Sequence, residues 1–394
     1  MTELDAHRAA IGTGDRSRPR AVLPVLNPAI TTDTGWPVGA TTAAFSAALL
    51  ISAFAGIRVG RIIDHRGPRT VMTAGSVLGV ASLLIIAAAP NLAVFFAGWL
   101  LAGLAMAATF YQPAFAALTR WWAPDHVRAL TIVTLAGGLA STVFAPLTAA
   151  LANHMSWRAT YTVLALALAT VTVPAHALAL KAPWPAAPPA PAHASDSATT
   201  VARSRPFWML ATALTLSAFT VYAVVVTLVP LLLERGYTTS QAAWALGLGG
   251  AGQTLGRTLY ATLARHTGVT ARTATLISLG GVTTAALAFT PGPYTLLVAL
   301  SVAAGMVRGN LTLLQATAIT DRWGTTHYGH LSGLLAAPAT TASALAPFVG
   351  AALASPLGGY PRLFATLTIV STASCLISLR AMPPTPEATP LPHI

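Results

Sequence analysis

GPRTVMTAGSVLGVASLLIIAAAP, residues 67–90, decides the fold, because GVTARTATLISLGGVTTAALAFTP at 268–291 repeats its frame. Gly67 falls on Gly268, Gly79 on Gly280 and Pro90 on Pro291 at an offset of 201. The same gapless offset carries Trp122 onto Trp323, His126 onto His327, and Ala145-Pro146 onto Ala346-Pro347. Each stretch holds enough apolar residues to span ~30 Å of hydrocarbon as a helix. Two apolar copies in one chain imply a secondary transporter, with a substrate site between the halves near the bilayer midplane. Positions where the copies disagree then mark candidates for function.

Composition agrees. The chain of 394 residues is 55% hydrophobic and only 8% charged, too little polar surface to cover a water-soluble globule. Apolar stretches recur at 38–57, 70–89, 92–118, 129–152, 159–180, 207–233, 241–263, 273–290, 294–319, 331–354 and 363–379, with a shorter run at 21–30. The net charge of +12 is unevenly placed. With both termini cytoplasmic, all but five of the 22 Lys and Arg fall on the cytoplasmic side; Arg158, Arg235 and Arg362 fall outside, and Arg257 and Arg308 lie within spans. That is the positive-inside pattern of a multi-pass protein of a plasma or inner membrane. Basic loops at 58–69 and 203–205 are placed to meet anionic headgroups of the bilayer. No folded basic surface with interleaved aromatics is visible, so nucleic acid is not an expected partner. Cys375 is the only cysteine, which excludes an intrachain disulfide or thiolate metal cluster. No cofactor is expected, and the unit is read as a monomer.

The segment 181–206, KAPWPAAPPAPAHASDSATTVARSRP, divides the chain into 1–180 and 207–394; its Pro/Ala run predicts a semi-extended cytoplasmic linker. The beginning of the chain breaks the pattern. The offset pairs the full span at 207–233 with 6–32, but 6–20 reads AHRAAIGTGDRSRPR, too polar for hydrocarbon. Only AVLPVLNPAI at 21–30 is apolar. The first helix is therefore a half-span packed in protein, or its true start lies upstream; the upstream start is favoured.

Residues 60–69 read GRIIDHRGPR, with Gly60, Asp64, Gly67 and Arg69 spaced along a basic turn between two spans. This resembles the signature loop of the major facilitator superfamily. The resemblance implies an all-α membrane fold of two six-helix bundles related by the internal repeat, working by alternating access. Asp64 is expected to pair with Arg120 or to cap a helix N-terminus, acting as a gate latch. The second copy has Arg265 where the first has Asp64. Three further features resemble the monocarboxylate-porter-like branch: DTGWP at 33–37, the span LAGLAMAATFYQPAFAALTRWW, and GAGQTLGRTLY in the eighth span. The last resembles an acid-x-x-x-Arg pattern, here with Gln253 in the acidic place before Arg257. The fifth span, LAGGLASTVFAPLTAALA, lacks the glycine-rich signature of drug–proton antiporters.

None of the ten carboxylates lies in a span, so a cationic substrate would have no counter-ion at the midplane. Arg308 lies near the centre of the tenth span, opposite Ala107 in the first copy. An unneeded charge there costs about 2.5–3.5 kcal/mol, which points to an aqueous cavity or a partner. Ser301, Gly305, Thr312 and Gln315 share its helical face. A guanidinium binds a carboxylate bidentately, so an anion is the economical partner; the alternative is a brace on backbone carbonyls. Arg257, opposite Gly56, is read as assisting near the cytoplasmic mouth, or as snorkelling to the interface. Tyr111, Gln112, Tyr222 and Asn27, with Thr215, complete the candidates, each alone being as well explained by helix packing. The expectation is a transporter of a small organic anion such as a monocarboxylate. The alternatives are an exporter of amphiphilic drugs or metabolites, and a non-transporting membrane protein derived from a transporter. No nucleophile–base set or metal cluster appears at usable spacing, so no enzyme is expected.

Overall fold

The computed structural model describes residues 22–123, 125–185 and 198–381. Its described helices form twelve segments: α1 Val22–Thr34, α2 Val38–Arg66, α3 Pro68–Ala88, α4 Leu92–Thr109 continued by Tyr111–Trp121, α5 His126–His154 and α6 Trp157–Ala179. A short helix, Ala198–Arg203, leads to α7 Arg205–Glu234, α8 Thr239–His266, α9 Val269–Phe289, α10 Tyr294–Thr317, α11 Tyr328–Leu357 and α12 Tyr360–Arg380. Eight of these are long and apolar enough to cross a membrane by themselves.

Polar residues between the apolar runs set the helix starts. The side chains of Asn91, Ser156 and Ser204 accept from backbone N–H groups of α4, α6 and α7, and Thr238 with Gln241 forms a capping box on α8. The expected loop at 60–69 is mostly helix: α2 runs on to Arg66, past the apolar run that ends at 57. Gly67 alone makes the turn at φ +77°, and Pro68 opens α3 with its ring-fixed φ. The expected linker is likewise interrupted by Ala198–Arg203, and its residues 186–197 lie outside the described part. So do residues 1–21; the described first helix has 13 residues, roughly 20 Å of rise.

The repeat is visible in how each bundle ties its first helix to its last. Asp33, at the end of α1, accepts from the Trp157 indole at the start of α6. Glu234, its repeat mate at the end of α7, accepts from the Tyr360 backbone N–H at the start of α12.

Packing shows which ends of the bundles meet. One buried cluster joins Ile63, Phe115 and Leu130 of the first half to Phe207, Tyr260 and Leu331 of the second. Two further clusters each belong to one half alone: Leu26, Ile86, Phe95 and Trp157 in the first, and Leu231, Leu287, Leu297 and Phe364 in the second. The bundles are closed on each other at the end that carries Gly67, and each keeps its own core at the opposite end.

Candidate functional site

Between the bundles lies a cavity of about 460 Å³. Its wall includes Tyr111 and Gln112 of α4, Tyr222 of α7, Gln253 and Arg257 of α8, and Arg308, Thr312 and Gln315 of α10. Eight of the side chains nominated from sequence thus converge on one space. Asn27 does not. Its Oδ1 accepts from Thr41 and its amide donates to Thr42, so it fastens α1 to α2. A short amide facing the next helix finds its partners there before it reaches a cavity. Thr215 is also spent locally, donating to Ala211 O.

Arg308 meets α8 because glycine lets two backbones touch. A Cβ on Gly305 would fall inside van der Waals contact of Gly249 O, and one on Gly309 inside that of Gln253 O. That close crossing lays the Arg308 guanidinium against Gln253, whose Oε1 accepts from Arg308 Nη2. Two of the four residues expected to share a cavity face with Arg308 serve this crossing instead. Gly305 lies under α8, and Ser301 is buried with its hydroxyl on Leu297 O. Arg308 Nε is buried without a hydrogen-bond partner. Among the described residues the only ion pair is Arg272–Asp321, away from the cavity, so the guanidinium is not neutralised by a carboxylate.

Arg257 does not snorkel to the interface. It is 5% exposed, and its Nη1 donates to Thr134 O on α5 of the opposite bundle. Its repeat mate, Gly56, sits in the equivalent contact of α2 with α11, where a Cβ on Gly333 would meet Ile57 and Gly56. Arg257 therefore spans the bundle interface from the wall of the cavity.

The fourth span, expected to be continuous over 92–118, breaks. Phe110 leaves helical geometry at φ −80°, ψ −159°, and a new helix starts at Tyr111. Pro113, in its first turn, has no N–H to continue the ladder, which was the readable signal. The break places the N-terminus of Tyr111–Trp121 at the cavity, with unpaired N–H groups and the positive end of the helix dipole.

Sequence reasoning overlooked the contribution of α11. Tyr328, Ser332, Ala336 and Thr340 line the same cavity at four-residue intervals, a small and polar stripe legible in YGHLSGLLAAPAT, and Ser217 joins them from α7.

Asp64, expected to act as a gate latch, reaches across the bundle interface, but not with Arg120 as carboxylate partner. Asp64 Oδ1 accepts from Gly329 N at 2.9 Å and Oδ2 from His330 N at 2.8 Å, so the carboxylate caps α11 across the bundle interface. A helix start offers unpaired N–H groups and a favourable dipole in one place, which outcompetes a single side chain. Arg120 Nη1 instead donates to the Asp64 backbone O at 2.9 Å and lies over the Trp184 ring, whose Nε1 donates to the same oxygen. Gly60 allows the approach, since a Cβ there would overlap Gly329 O. Arg61 also crosses, meeting His330 Nε2 at 3.3 Å. Arg69 takes no part: its Nε donates to Ala177 O and braces α3 against α6.

The family model of the Major Facilitator Superfamily matches residues 19–296. The chain belongs to this superfamily. Major facilitator proteins are membrane transporters that work by alternating access, and bundles that share a buried core at one end only fit one state of that cycle. The chain is 29% identical over 311 residues to monocarboxylate transporter 13 of Bos taurus, covering 78% of this chain and 70% of that protein. It is similar in fold to the Escherichia coli fucose:proton symporter, with a TM-score of 0.70 and 14% identity over 92% of this chain and 94% of that one. The human organic anion transporter MFSD10 matches with a TM-score of 0.65 and 18% identity, over 95% and 91% of the two chains. Within the superfamily, this chain resembles the monocarboxylate-transporter branch.

Proposed function

We propose that this major facilitator protein moves a small organic anion, a monocarboxylate in the first instance, with Arg308 as its charge partner and Arg257 assisting. The observation that carries this reading is the Arg308 guanidinium in the wall of the central cavity, held by the Gln253 amide and by no carboxylate. A bound carboxylate would supply the missing counter-charge through paired N–H···O bonds. The N-terminus of Tyr111–Trp121 offers a second anion-attracting group from the other bundle. The similarity to monocarboxylate transporter 13 supports the same class.

The basic residues Arg58, Arg61, Arg66 and Arg69 support an orientation with the latch end and both termini on the cytoplasmic side and the opposite end facing outward. The protein would then sit in a plasma or inner membrane, as a monomer. Proton coupling through Gln253 is ruled out by its chemistry, because an amide does not titrate where the branch pattern has an acid. The test is counterflow of labelled pyruvate in proteoliposomes. Wild-type protein should accumulate the anion and Arg308→Gln should not. Anion transport that survives Arg308→Gln sinks the reading, and transport of amphiphilic cations but no anions would favour an exporter.

A further inference from the structure

Beyond Val221 and Val225 the central cavity continues past Arg308 into a side pocket of about 40 Å³ between α7, α8, α9 and α10. Val224, Leu228, Leu246, Leu287 and Val307 form its walls, with Gly280 at its edge. Its hydroxyls are already spent: Ser301 donates to Leu297 O, while Thr283 and Thr284 donate to Gly280 O. The pocket therefore presents apolar surface to an occupant, with a guanidinium at its entrance. By the rule that one water needs about 10–15 Å³ of such volume, it has room for about three water-sized groups, the scale of a small alkyl branch.

The shared scaffold does not require this space. Gly79, the repeat mate of Gly280, is a packing glycine, since a Cβ there would come within 2.9 Å of Leu168. At Gly280 a Cβ would meet nothing closer than Val307 at 3.8 Å and Leu311 at 3.9 Å. The mate of Leu168 is Ile369, which is 69% exposed and leaves the position unfilled. One copy fills the place with a side chain, and the copy that carries Arg308 leaves it open.

We infer that this pocket is a specificity subsite for a compact branched alkyl group on an organic acid whose carboxylate is held by Arg308. The inference rests on the anion reading of Arg308. It selects, among small acids, those with an apolar branch of about three carbons over shorter or long unbranched ones. Each buried methylene is worth about fourfold in affinity, so three give roughly sixtyfold.

The experiment is calorimetric titration of the purified full chain with propanoate, 4-methylpentanoate and octanoate. Wild type should bind 4-methylpentanoate roughly sixtyfold more tightly than propanoate, and octanoate no better than propanoate. Gly280→Leu should remove that gain while leaving propanoate binding intact. Gly280→Ala, whose Cβ fits without collision, should remove about fourfold of it and covers the case in which the leucine variant does not fold. Val224→Ala should widen the pocket and admit octanoate. Equal affinities for all three acids, with Gly280→Ala and Gly280→Leu unchanged, overturn the subsite and leave the Arg308 reading standing. No binding of any acid, or binding unaffected by Arg308→Gln, overturns the anion reading and the subsite with it.

Discussion

Replacing Asp64 with Asn should open the latch without unfolding either bundle. The carboxylate accepts two backbone N–H bonds from the first turn of α11, at 2.9 and 2.8 Å. Asparagine keeps one acceptor and turns an NH₂ toward the other N–H, so one charge-assisted bond worth about 1.5–3 kcal/mol is lost. Loss of the charge at a helix N-terminus adds about 0.3–1 kcal/mol. In the opposite state of the cycle Asp64 is solvated and the substitution costs next to nothing. The whole ~2–4 kcal/mol therefore falls on one state and moves the equilibrium by ~30-fold to several hundredfold. The reporter is Ile63→Cys, fully buried in the core shared by the bundles, in a Cys375→Ser background. Its alkylation rate in detergent follows the fraction of molecules with the latch open, and should rise by at least ~30-fold with Asp64→Asn. Leu297→Cys, buried in a core belonging to the second bundle alone, should keep its rate. A change below about threefold at Ile63→Cys, or an equal rise at both reporters, refutes the reasoning.

Arg257→Gln should also favour the opened state, because it removes the bond to Thr134 O between bundles; the same reporter should rise by about tenfold or more. Gly309→Ala drives a Cβ into Gln253 O and should cost about 1–3 kcal/mol, read as a lower unfolding midpoint and a weakened response to anion. Pro113→Ala should let α4 run on through Phe110, weakening pyruvate binding while leaving thermal stability unchanged or higher. Glu234→Gln should lower the unfolding midpoint with little effect on transport, because its carboxylate caps α12 away from the cavity.

The fold was legible because hydrophobic length and the 201-residue echo are properties of the chain itself, independent of any contact. Most of the cavity residues were legible for a related reason. A charge or amide in an apolar span must face something polar, and eight nominated side chains meet in one place. Asn27 failed because its partners, Thr41 and Thr42, lie on the next helix, a pairing that helical periodicity within one span does not encode. The partner of Arg257 was not legible for the same reason, since Thr134 O lies on α5, which the eighth span alone does not reveal. Capping of a helix N-terminus was one of the two readings of Asp64, yet which helix it caps was not legible. Asp64 carries its charge in the sequence, whereas the N–H groups of Gly329 and His330 become an acceptor's target only once α11 exists.

The two places where the halves part most sharply act on the same space. α4 and α10 are repeat mates, yet α4 breaks at Phe110 while α10 runs unbroken through Leu311. In exchange, α10 carries Arg308 where α4 carries Ala107. One departure brings the positive end of a half-helix to the cavity from the first bundle, and the other brings a guanidinium from the second. An anion seated between them would be held by one group from each bundle. Its binding energy then depends on how far apart the bundles stand, and a ligand shifts a conformational equilibrium only through such a difference. Arg257 extends the same logic. A carboxylate that drew its guanidinium from Thr134 O into the cavity would weaken one of the bonds that keep the latch end closed. Substrate recognition and bundle motion would thus meet in residues that the duplicated scaffold did not need.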